Sequence, residues 1–467
     1  MNLKPIAIIG AGITGLTAAF YLKRKGVPVT VYEASGRTGG VIQSARHNGF
    51  LAEAGPNTIL ETSPKIAQLV RDAGLAARRL DTNPEAEARF VVRDRRPIAM
   101  PSSQLGIFAS KLLSAQAKFA LIREPFIPPR RDGKEESIAE FVVRRLNQEF
   151  LNRMIDALVA GIYAGDPYKL SVQHAFPRLK ALEDQYGSLI KGQFLGARER
   201  KRTGEVAKDR APKFSFDEGL QVLPDTLAAQ LGDALQLNTP VMKLTQVSDG
   251  WRVMTANGET EHRAVIYCGT AHRLAQLQII YNRVTTPRRP TEKHLANLSP
   301  FSEIRHPPVT SVVLGFRRED VTHPCAGFGM LIPKVEGCKI LGTIFSSSLF
   351  PNRAPAGHVL LTSYVGGERQ PELAALPPEK LVEIVCEDLR GLLGVRGKPV
   401  FTQQHFWPRA IPQYNVGYGR FKDLMNDLEA QAAGLFLAGH YREGISVGDA
   451  IVSGGNVAER VENFLKV

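Results

Sequence analysis

The sequence has few cysteines and no long apolar run. Four cysteines occur among 467 residues, at Cys268, Cys325, Cys338 and Cys386, without a CxxC pair or a histidine-rich metal spacing. We therefore expect reduced thiols in a reducing compartment and no metal site. No apolar run approaches the ~18 residues that a membrane span requires. Internal repeats and low-complexity tracts are also absent.

A cleaved signal peptide is also not expected. The apolar residues after Lys4 are already used by a predicted first strand and the glycine turn that follows it. The hydrophobic content of 43% and the charged content of 22% are typical of a soluble globular protein. At 467 residues the chain exceeds the ~250–300 at which one core stops growing, so two or three domains are expected.

Positive charge is in excess. Lys and Arg number 59 against 46 Asp and Glu, which gives a net charge of +13. Such a balance favours anionic partners. No nucleic-acid-binding motif is present, so we expect no nucleic acid partner. An anionic membrane surface or a polycarboxylate substrate fits better.

Residues 5–33 carry the most informative pattern. A short apolar run ends at Gly10, GxGxxG continues through Gly12 and Gly15, a helical segment follows, and a second strand ends in Glu33. The glycines permit a tight turn and close approach to a pyrophosphate at the helix N-terminus, and Glu33 has the spacing of a ribose-binding carboxylate. The pattern predicts an adenine dinucleotide site with these contacts: Gly10, Gly12, Ile13, Thr14, Gly15, Glu33 and Ala34.

A second glycine loop follows almost at once. Arg37, Gly39 and Gly40 place flexible backbone and a cation beside the same phosphates. This loop resembles that of the amine-oxidase-like FAD flavoproteins, and an NAD dehydrogenase has no need for it. The resemblance implies noncovalent FAD. It also implies a discontinuous FAD domain that uses both chain ends, with further contacts at Gly55, Pro56, Asn57, Thr58, Val241, Trp407, Gly439, Ile445, Ser446 and Val447.

The middle of the chain is predicted to be helical. A stretch from Leu105 to Phe126 mixes apolar residues with lysines and an arginine, and Ser137 with Glu140 has the spacing of a capping box. Later regions are rich in strands, with turns at 249–250 and 257–258. We expect an α/β plus α+β fold with a Rossmann-like FAD domain, a mixed-sheet substrate domain and a helical, membrane-associated insertion. The expected divisions are FAD-binding segments 1–85, 210–280 and 401–467, substrate segments 86–100 and 281–400, and the helical insertion 101–209.

Several longer motifs extend over essentially the whole chain: GIYAGDP (161–167), KLS (169–171), FPRL (176–179), YGS (186–188), GFG with a following leucine (327–331), LGTIFSSSLFPNRAP (341–355), WPRAIPQY (407–414), AG (438–439) and GISV (444–447). Together they resemble the motifs of the oxygen-dependent protoporphyrinogen oxidases and the related coproporphyrinogen III oxidases. Two departures are His440, where asparagine is common, and Gly448, where proline is common. Neither removes a side chain that is essential to the chemistry.

The resemblance implies a six-electron oxidation of a porphyrinogen by FAD, with molecular oxygen as acceptor and peroxide as product. It places Arg89 on a substrate propionate, which suits a guanidinium fork. It also places Leu331, Ile344 and Tyr364 against the rings and the backbone of Gly161 beside the macrocycle. No catalytic base is recognisable, and His174, His272 and His440 are expected to be structural.

Several alternatives stay open. Protoporphyrinogen IX is slightly favoured over coproporphyrinogen III because the helical region looks membrane-seeking. A flavin amine oxidase, which shares Gly10 to Gly40, is one rival enzyme, and a phytoene-type desaturase with a carotenoid in an apolar tunnel is another. A membrane-surface protein that holds FAD only structurally is a fourth interpretation. We expect a cytoplasmic protein, peripheral on the inner face of the cell membrane, with a homodimer as an open expectation.

Overall fold

The computed structural model describes residues 4–101, 104–203, 211–283 and 292–466. The strands are β1 (Ile6–Ile9), β2 (Val29–Tyr32), β3 (Ser44–His47), β4 (Phe50–Glu53), β5 (Ile59–Leu60), β6 (Arg79–Asp81), β7 (Arg89–Arg93), β8 (Arg96–Ala99), β9 (Lys213–Phe216), β10 (Leu235–Gln236), β11 (Val241–Val247), β12 (Gly250–Thr255), β13 (Gly258–His262), β14 (Ala264–Tyr267), β15 (Gln278–Arg283), β16 (Glu292–Leu295), β17 (Val309–Arg317), β18 (Gly329–Leu331), β19 (Ile340–Ile344), β20 (His358–Gly366), β21 (Phe401–Trp407) and β22 (Leu435–Leu437). The α-helices are α1 (Ile13–Arg24), α2 (Pro64–Asp72), α3 (Gln104–Ala109), α4 (Ala115–Arg123), α5 (Ile138–Arg145), α6 (Gln148–Phe150), α7 (Asp156–Tyr163), α8 (Val172–Ala175), α9 (Pro177–Tyr186), α10 (Leu189–Thr203), α11 (Val222–Leu231), α12 (Ala271–Leu274), α13 (Ser346–Leu349), α14 (Pro378–Leu393), α15 (Gly419–Gln431) and α16 (Val447–Leu465).

A five-stranded parallel sheet has the order β10-β2-β1-β14-β22. Its central strands are buried on both faces, as continuous apolar runs such as IAII in β1 predict. Helices α1, α11 and α16 pack against it, and α16 lies very close to α1 because Gly454 has no side chain. A Cβ there would lie 2.5 Å from the carbonyl oxygen of Thr14. The sheet therefore joins strands from the beginning, the middle and the end of the chain.

A second five-stranded sheet, β13-β12-β11-β15-β16, is built around two tight turns. Gly250 and Gly258 adopt φ angles of +124° and +121°, which glycine tolerates and other residues rarely do. Strands β11, β12 and β13 pair in antiparallel register around them, so the turns predicted at these positions are confirmed.

The third large sheet has seven strands in the order β21-β17-β20-β19-β18-β7-β8. Because side chains alternate along a strand, its two faces have different surroundings. One face, which we call the far face, carries residues such as Val312, Leu314 and Phe316 and packs against α14 in one apolar cluster. The opposite face is called the near face.

Cross-strand register defines the near face. Val91 pairs with Leu331, Leu331 with Gly342, Gly342 with Tyr364, and Tyr364 with Ser311. The neighbouring row pairs residues 89, 329, 344 and 362 in the same way. Paired residues, and residues two apart on a strand, point to the same face. The four side chains expected to contact substrate therefore share the near face: Arg89, Leu331, Ile344 and Tyr364.

The helical middle region differs from the sequence prediction in one respect. The stretch Leu105–Phe126 does not form one continuous helix, because Ser114 caps a new helix, α4, and a 3₁₀ turn follows at Glu124–Phe126. The intervening Leu112 and Leu113 are buried, so they belong to the core rather than to an amphipathic surface. The capping box of Ser137 and Glu140 is present at the start of α5.

Charged side chains tie these helices together. Arg145 is fully buried and contacts Glu124 and Glu183, which come from the 3₁₀ turn after α4 and from α9. Glu124 also accepts from the backbone N–H groups of Leu189 and Ile190 at the start of α10. Buried charges are tolerated when they are paired in this way.

Among the described residues, no helix has the length and apolar character required to cross a membrane. The domain boundary expected at residue 209 lies outside the described residues.

Candidate active site

The predicted glycine turn forms a cradle at the carboxyl edge of the parallel sheet. Gly10 has φ +103°, and a Cβ at Gly15 would lie 2.0 Å from the Gly10 carbonyl oxygen, so both positions require glycine. A Cβ at Gly12 would meet nothing within 4 Å. No side chain caps α1, so the backbone N–H groups of its first turn remain available to an anion. The cradle fits a pyrophosphate.

Glu33 lies directly beneath this turn. Its Oε2 accepts from the Ala11 N–H at 2.7 Å, and its Oε1 accepts from the N–H and the hydroxyl of Ser35. A carboxylate has about four lone-pair sites, so acceptor capacity remains for ribose hydroxyls. Glu33 thus shapes the turn as well as offering the acceptor that the sequence predicted.

The second glycine loop folds onto the first. Gly39 and Gly12 form an isolated parallel bridge, and a Cβ at Gly40 would lie 3.4 Å from the Gly12 Cα. The Arg37 guanidinium donates to the carbonyl oxygens of Gly40 and Ile42. Arg37 therefore fastens its own loop, a role that the sequence pattern did not indicate.

The turn Ala54–Asn57 joins the cradle to the near face. The carbonyl oxygen of Ala54 accepts from Ser311 Oγ at 2.6 Å and from Trp407 Nε1 at 2.9 Å. A Cβ at Gly55 would lie 2.1 Å from the Val41 carbonyl oxygen, so the turn passes tightly against the loop after Gly40. Two near-face strands, β17 and β21, thus fix the turn that was expected to pass close to the flavin.

A third near-face strand contacts the same turn. Asn57 Nδ2 donates to the Tyr364 hydroxyl at 2.7 Å and to the Gly55 carbonyl oxygen at 3.3 Å. Burial is the main cause that raises the pKa of Tyr364, so its phenol stays protonated at neutral pH. Tyr364, expected at the substrate, and Asn57, expected at the cofactor, therefore meet.

The remaining substrate residues extend along the near face from this point. The Arg89 guanidinium lies 5.8 Å from the ring centroid of Phe328, and Ile344 packs in the cluster that contains Phe328. A Cβ at Gly161 of α7 would lie 2.4 Å from Leu331 Cδ2, so α7 approaches the face very closely. From β7 to β20 is three strand spacings, or about 14 Å.

The C-terminal segment closes the other side of the cradle. Gly439, with φ +119°, follows β22, and its N–H donates to Ser453 Oγ of α16. Ser446 caps α16 in a capping box with Asp449. Val447 begins that helix, while Ile445 and Val241 pack against one apolar cluster. The other predicted cofactor positions lie in the loops described above: Ala34, Pro56 and Thr58.

Three histidines meet beside this segment, and the sequence did not indicate their proximity. The ring centroids of His272 and His306 are 5.3 Å apart, and those of His306 and His440 are 6.4 Å apart. Burial, reinforced by the neighbouring imidazoles, lowers the pKa of His272 and His440 to about 4. Burial also lowers the pKa of His306, so all three imidazoles are neutral in the folded protein at neutral pH. His174 lies elsewhere, against Tyr418.

Other reactive groups have less prominent positions. The four cysteines are free thiols, and burial raises the pKa of Cys268, which lies behind the cradle. Within residues 4–101, 104–203, 211–283 and 292–466, no group of three or more His, Cys, Asp or Glu side chains is placed to hold a metal ion.

Comparison with known proteins gives the site its context. The chain is 34% identical to protoporphyrinogen oxidase 2, chloroplastic/mitochondrial, of Arabidopsis thaliana, over 99% of this chain and 94% of that protein. It is 30% identical to coproporphyrinogen III oxidase of Bacillus subtilis (strain 168), over 97% of this chain and 96% of that protein.

Solved structures show the same fold. A provisionally named protoporphyrinogen oxidase from Exiguobacterium sp. 255-15 superposes with a TM-score of 0.81 at 24% identity, covering 99% of both chains. Reduced UDP-galactopyranose mutase superposes with a TM-score of 0.73 at 14% identity, over 98% of this chain and 96% of that one.

The family signature described as flavin containing amine oxidoreductase matches residues 13–462. The cradle, with its glycine turns, uncapped helix and ribose carboxylate, fits the dinucleotide half of FAD. The predicted mixed α/β fold and FAD cofactor are confirmed. The chain therefore belongs to the flavin-containing amine oxidoreductase family.

Proposed function

We propose that this protein oxidises protoporphyrinogen IX to protoporphyrin IX with FAD as cofactor and molecular oxygen as acceptor, as a step of haem biosynthesis. The observation that carries the proposal is the near face. Four residues from four separate strands, matched to the porphyrinogen oxidase pattern, point from one sheet surface beside the FAD cradle. Relatives at 30–34% identity over nearly the whole chain carry porphyrinogen oxidase names.

The chemistry of this face suits a large apolar ring with carboxylate arms. The guanidinium group of Arg89 is planar and carries paired N–H donors, the geometry that suits a propionate. Gly329 and Gly342 lie between the larger side chains, and a Cβ at either would approach a neighbouring carbonyl oxygen to within 2.8 Å. Because these glycines have no side chains, space remains above the sheet between Leu331 and Tyr364 and between Arg89 and Ile344. The ~14 Å from β7 to β20 matches a tetrapyrrole with its arms.

Bound FAD supplies a two-electron acceptor that oxygen regenerates, with peroxide as product. The protein itself positions the substrate relative to the cofactor. Ser311, Trp407 and Tyr364 hold the turn 54–57 between cradle and near face, and α7 covers the face at Leu331. In each of three steps the macrocycle loses a hydride from a meso carbon and one proton; of the three protons, two leave pyrrole nitrogens and one leaves the fourth meso carbon. We assign no side chain as the base.

Coproporphyrinogen III is the second candidate substrate, favoured by the Bacillus subtilis relative. The two porphyrinogens differ in propionate and vinyl groups, so one assay separates them. Both are supplied side by side to the FAD-loaded protein, and porphyrin fluorescence, oxygen uptake and peroxide are followed. We expect faster oxidation of protoporphyrinogen IX with three peroxides per porphyrin, and no oxidation of putrescine. Faster coproporphyrinogen turnover would reverse the choice of substrate, and turnover of the amine alone would refute both.

The FAD is proposed to be noncovalent. No cysteine or histidine occurs in a recognisable flavin-linking motif. Acid precipitation should release the yellow colour into the supernatant, and colour retained by the pellet would show a covalent bond.

We also propose a peripheral seat on the cytoplasmic membrane face. Phe119, Ile122 and Phe126 are 64%, 56% and 81% exposed, and the exposed Arg123 and the half-buried Lys118 lie beside them. A surface of this kind buries its apolar side ~5–10 Å into the headgroup boundary. Each basic residue adds about 1 kcal/mol on anionic lipid.

Flotation with phosphatidylglycerol liposomes at low salt tests this seat. The protein should rise with the vesicles, and Phe119→Ser with Ile122→Ser should reduce the floated fraction severalfold. Val400→Ser is the matched control, because Val400 is 49% exposed and lies in a different part of the chain. Wild-type protein that stays at the bottom would contradict the proposed membrane seat.

A further inference from the structure

A closed set of hydrogen bonds at the turn 54–57 determines how one amide is oriented. Asn57 Nδ2 donates to the Tyr364 hydroxyl and to the Gly55 carbonyl oxygen, and the Tyr364 hydroxyl also lies 3.4 Å from that carbonyl. A carbonyl oxygen can only accept, so the nitrogen of the amide must face it. The Tyr364 hydroxyl completes the set by accepting the second N–H.

This arrangement uses both donors of Asn57 and leaves its acceptor. Asn57 is 8% exposed, and within the described part of the chain its Oδ1 receives no hydrogen bond. Asn57 Oδ1 is not among the fully buried polar atoms that lack a partner, so it remains accessible to a ligand. An accessible acceptor in a largely buried amide is available to a ligand donor at the junction of cradle and near face.

A porphyrinogen is such a donor. Each of its four pyrrole nitrogens carries a hydrogen, and none has a lone pair available to accept. An apolar pocket that recognises the ring centre must therefore offer acceptors. The other polar groups that hold this turn act as donors: Ser311 Oγ and Trp407 Nε1 both donate to the Ala54 carbonyl oxygen.

We propose that Asn57 Oδ1 accepts a hydrogen bond from a pyrrole N–H of the substrate, and that the Tyr364 hydroxyl is the positioning group that holds the amide in this orientation. The inference rests on the proposed function. With Arg89 holding a propionate about three strands away, this second contact fixes the rotation of the macrocycle in its plane. It thereby selects which meso carbon faces the flavin.

A double-mutant cycle on the FAD-loaded protein tests the proposal. The rate of flavin reduction at saturating porphyrinogen and the apparent Kd of the porphyrinogen are measured without oxygen in Asn57→Leu, Tyr364→Phe and the double variant. Asn57→Leu should slow reduction ~10- to 100-fold, since a lost hydrogen bond in a buried site is worth that much. Tyr364→Phe should slow it ~3- to 10-fold in the wild-type background and have no further effect in the Asn57→Leu background.

Ser311→Ala is the matched control, because it removes another hydrogen bond to the same turn without touching Asn57. Ser311→Ala should slow flavin reduction by the same factor in the wild-type and in the Asn57→Leu background. If Asn57→Leu does not retain FAD, Asn57→Ala replaces it in the cycle.

Three results would overturn the proposal. The first is a rate of flavin reduction in Asn57→Leu within twofold of wild type, and the second is an equal slowing by Tyr364→Phe in both backgrounds. The third is a variant that binds FAD more weakly but is reduced at the wild-type rate. The last would show that Oδ1 serves the cofactor. If neither porphyrinogen reduces the flavin of the wild-type protein, the proposed function itself is wrong. If the wild-type flavin is reduced but Tyr364→Phe slows reduction equally in both backgrounds, only the role of Asn57 and Tyr364 is wrong.

Discussion

The dinucleotide cradle and the near face of the seven-stranded sheet are built by different means. The cradle is made mainly of backbone from one continuous segment, residues 10–40, with glycines such as Gly10, Gly15 and Gly39 where backbone segments come into close contact. The near face is made of side chains from strands that lie between residues 89 and 407. Both meet at the turn 54–57, where near-face side chains hold cradle-side backbone.

This difference predicts two kinds of sensitivity. A site made of closely packed backbone tolerates almost no substitution of its glycines, because an added Cβ displaces the backbone itself. A site made of side chains responds gradually, one contact at a time, and leaves the fold intact.

The largest effect is expected at Gly15. Gly15→Ala places a Cβ 2.0 Å from the Gly10 carbonyl oxygen, so the protein should lose FAD and more than about 3 kcal/mol of stability. Gly455→Ala, within α16, is the matched control, because its Cβ would lie 3.7 Å from Lys65 Cδ, an ordinary van der Waals contact. It should stabilise the protein by about 0.5–1 kcal/mol. Flavin content and thermal unfolding measure both, and equal behaviour of the two variants would refute the steric account.

A smaller loss is expected at Glu33. Glu33→Arg removes the acceptor for ribose and the bonds to Ala11 and Ser35, so the Kd for FAD should rise ~10- to 100-fold, about 1.5–3 kcal/mol. Fluorescence titration of the apoprotein measures it. Glu372→Arg makes the same charge change at an exposed position and should leave the Kd unchanged. An unaltered Kd in Glu33→Arg would remove this residue from the site.

On the near face, Arg89→Ala should lower kcat/KM for the porphyrinogen by about 1–3 kcal/mol while the flavin spectrum and the unfolding temperature are kept. Arg89→Lys should recover only part, because a point charge lacks the fork. Arg96→Ala, on the adjacent strand β8 and exposed, serves as the control. Propionate recognition lies elsewhere if both Arg89 variants match wild type within twofold.

The smallest effect concerns pH. Burial lowers the pKa of His272 and His440 to about 4, whereas unfolded imidazoles bind a proton below about 6.5. Between these pH values the unfolded chain binds more protons than the folded protein. The free energy of unfolding should therefore be highest above pH 6.5 and decrease as the pH is lowered toward 4. Arg409 and Arg273 face this cluster and lower the pKa of His272 further.

His440→Asn should flatten this fall by about 1–2 kcal/mol, after allowance for partial solvent screening. Urea unfolding at pH 7 and pH 4.5 measures it, with His47→Asn as an exposed control. Parallel pH profiles for wild type and His440→Asn would contradict the assignment.

The same contrast explains what sequence could predict. Gly10, Gly12, Gly15 and Glu33 are close in sequence and carry a backbone pattern, so their arrangement follows from spacing alone. The common face of Arg89 and Tyr364 depends on strand order and register, which local sequence does not encode. Those residues were predicted by resemblance to a family, and the strand order and register of the sheet explain why they lie on one face.

Other features needed tertiary contacts. Ser114 interrupts the apparent helix 105–126 because it caps α4, and Leu112 and Leu113 then turn into the core. The pair Asn57 and Tyr364 is separated by 307 positions, and His306 also meets His440 from a distant part of the sequence. No periodicity in the sequence indicates such pairs.

Anaerobic mixing of the FAD-loaded protein with a porphyrinogen tests the central claim most directly. The near face and the cradle are proposed to place this substrate against the flavin, so the visible absorbance of the oxidised flavin should disappear within a single turnover. Each flavin takes up only two of the six electrons, so porphyrin should appear only after oxygen is admitted, and oxygen should also restore the absorbance. Putrescine in the same experiment should leave the flavin oxidised. A flavin that stays oxidised with both porphyrinogens, or is reduced by the amine instead, would contradict the account.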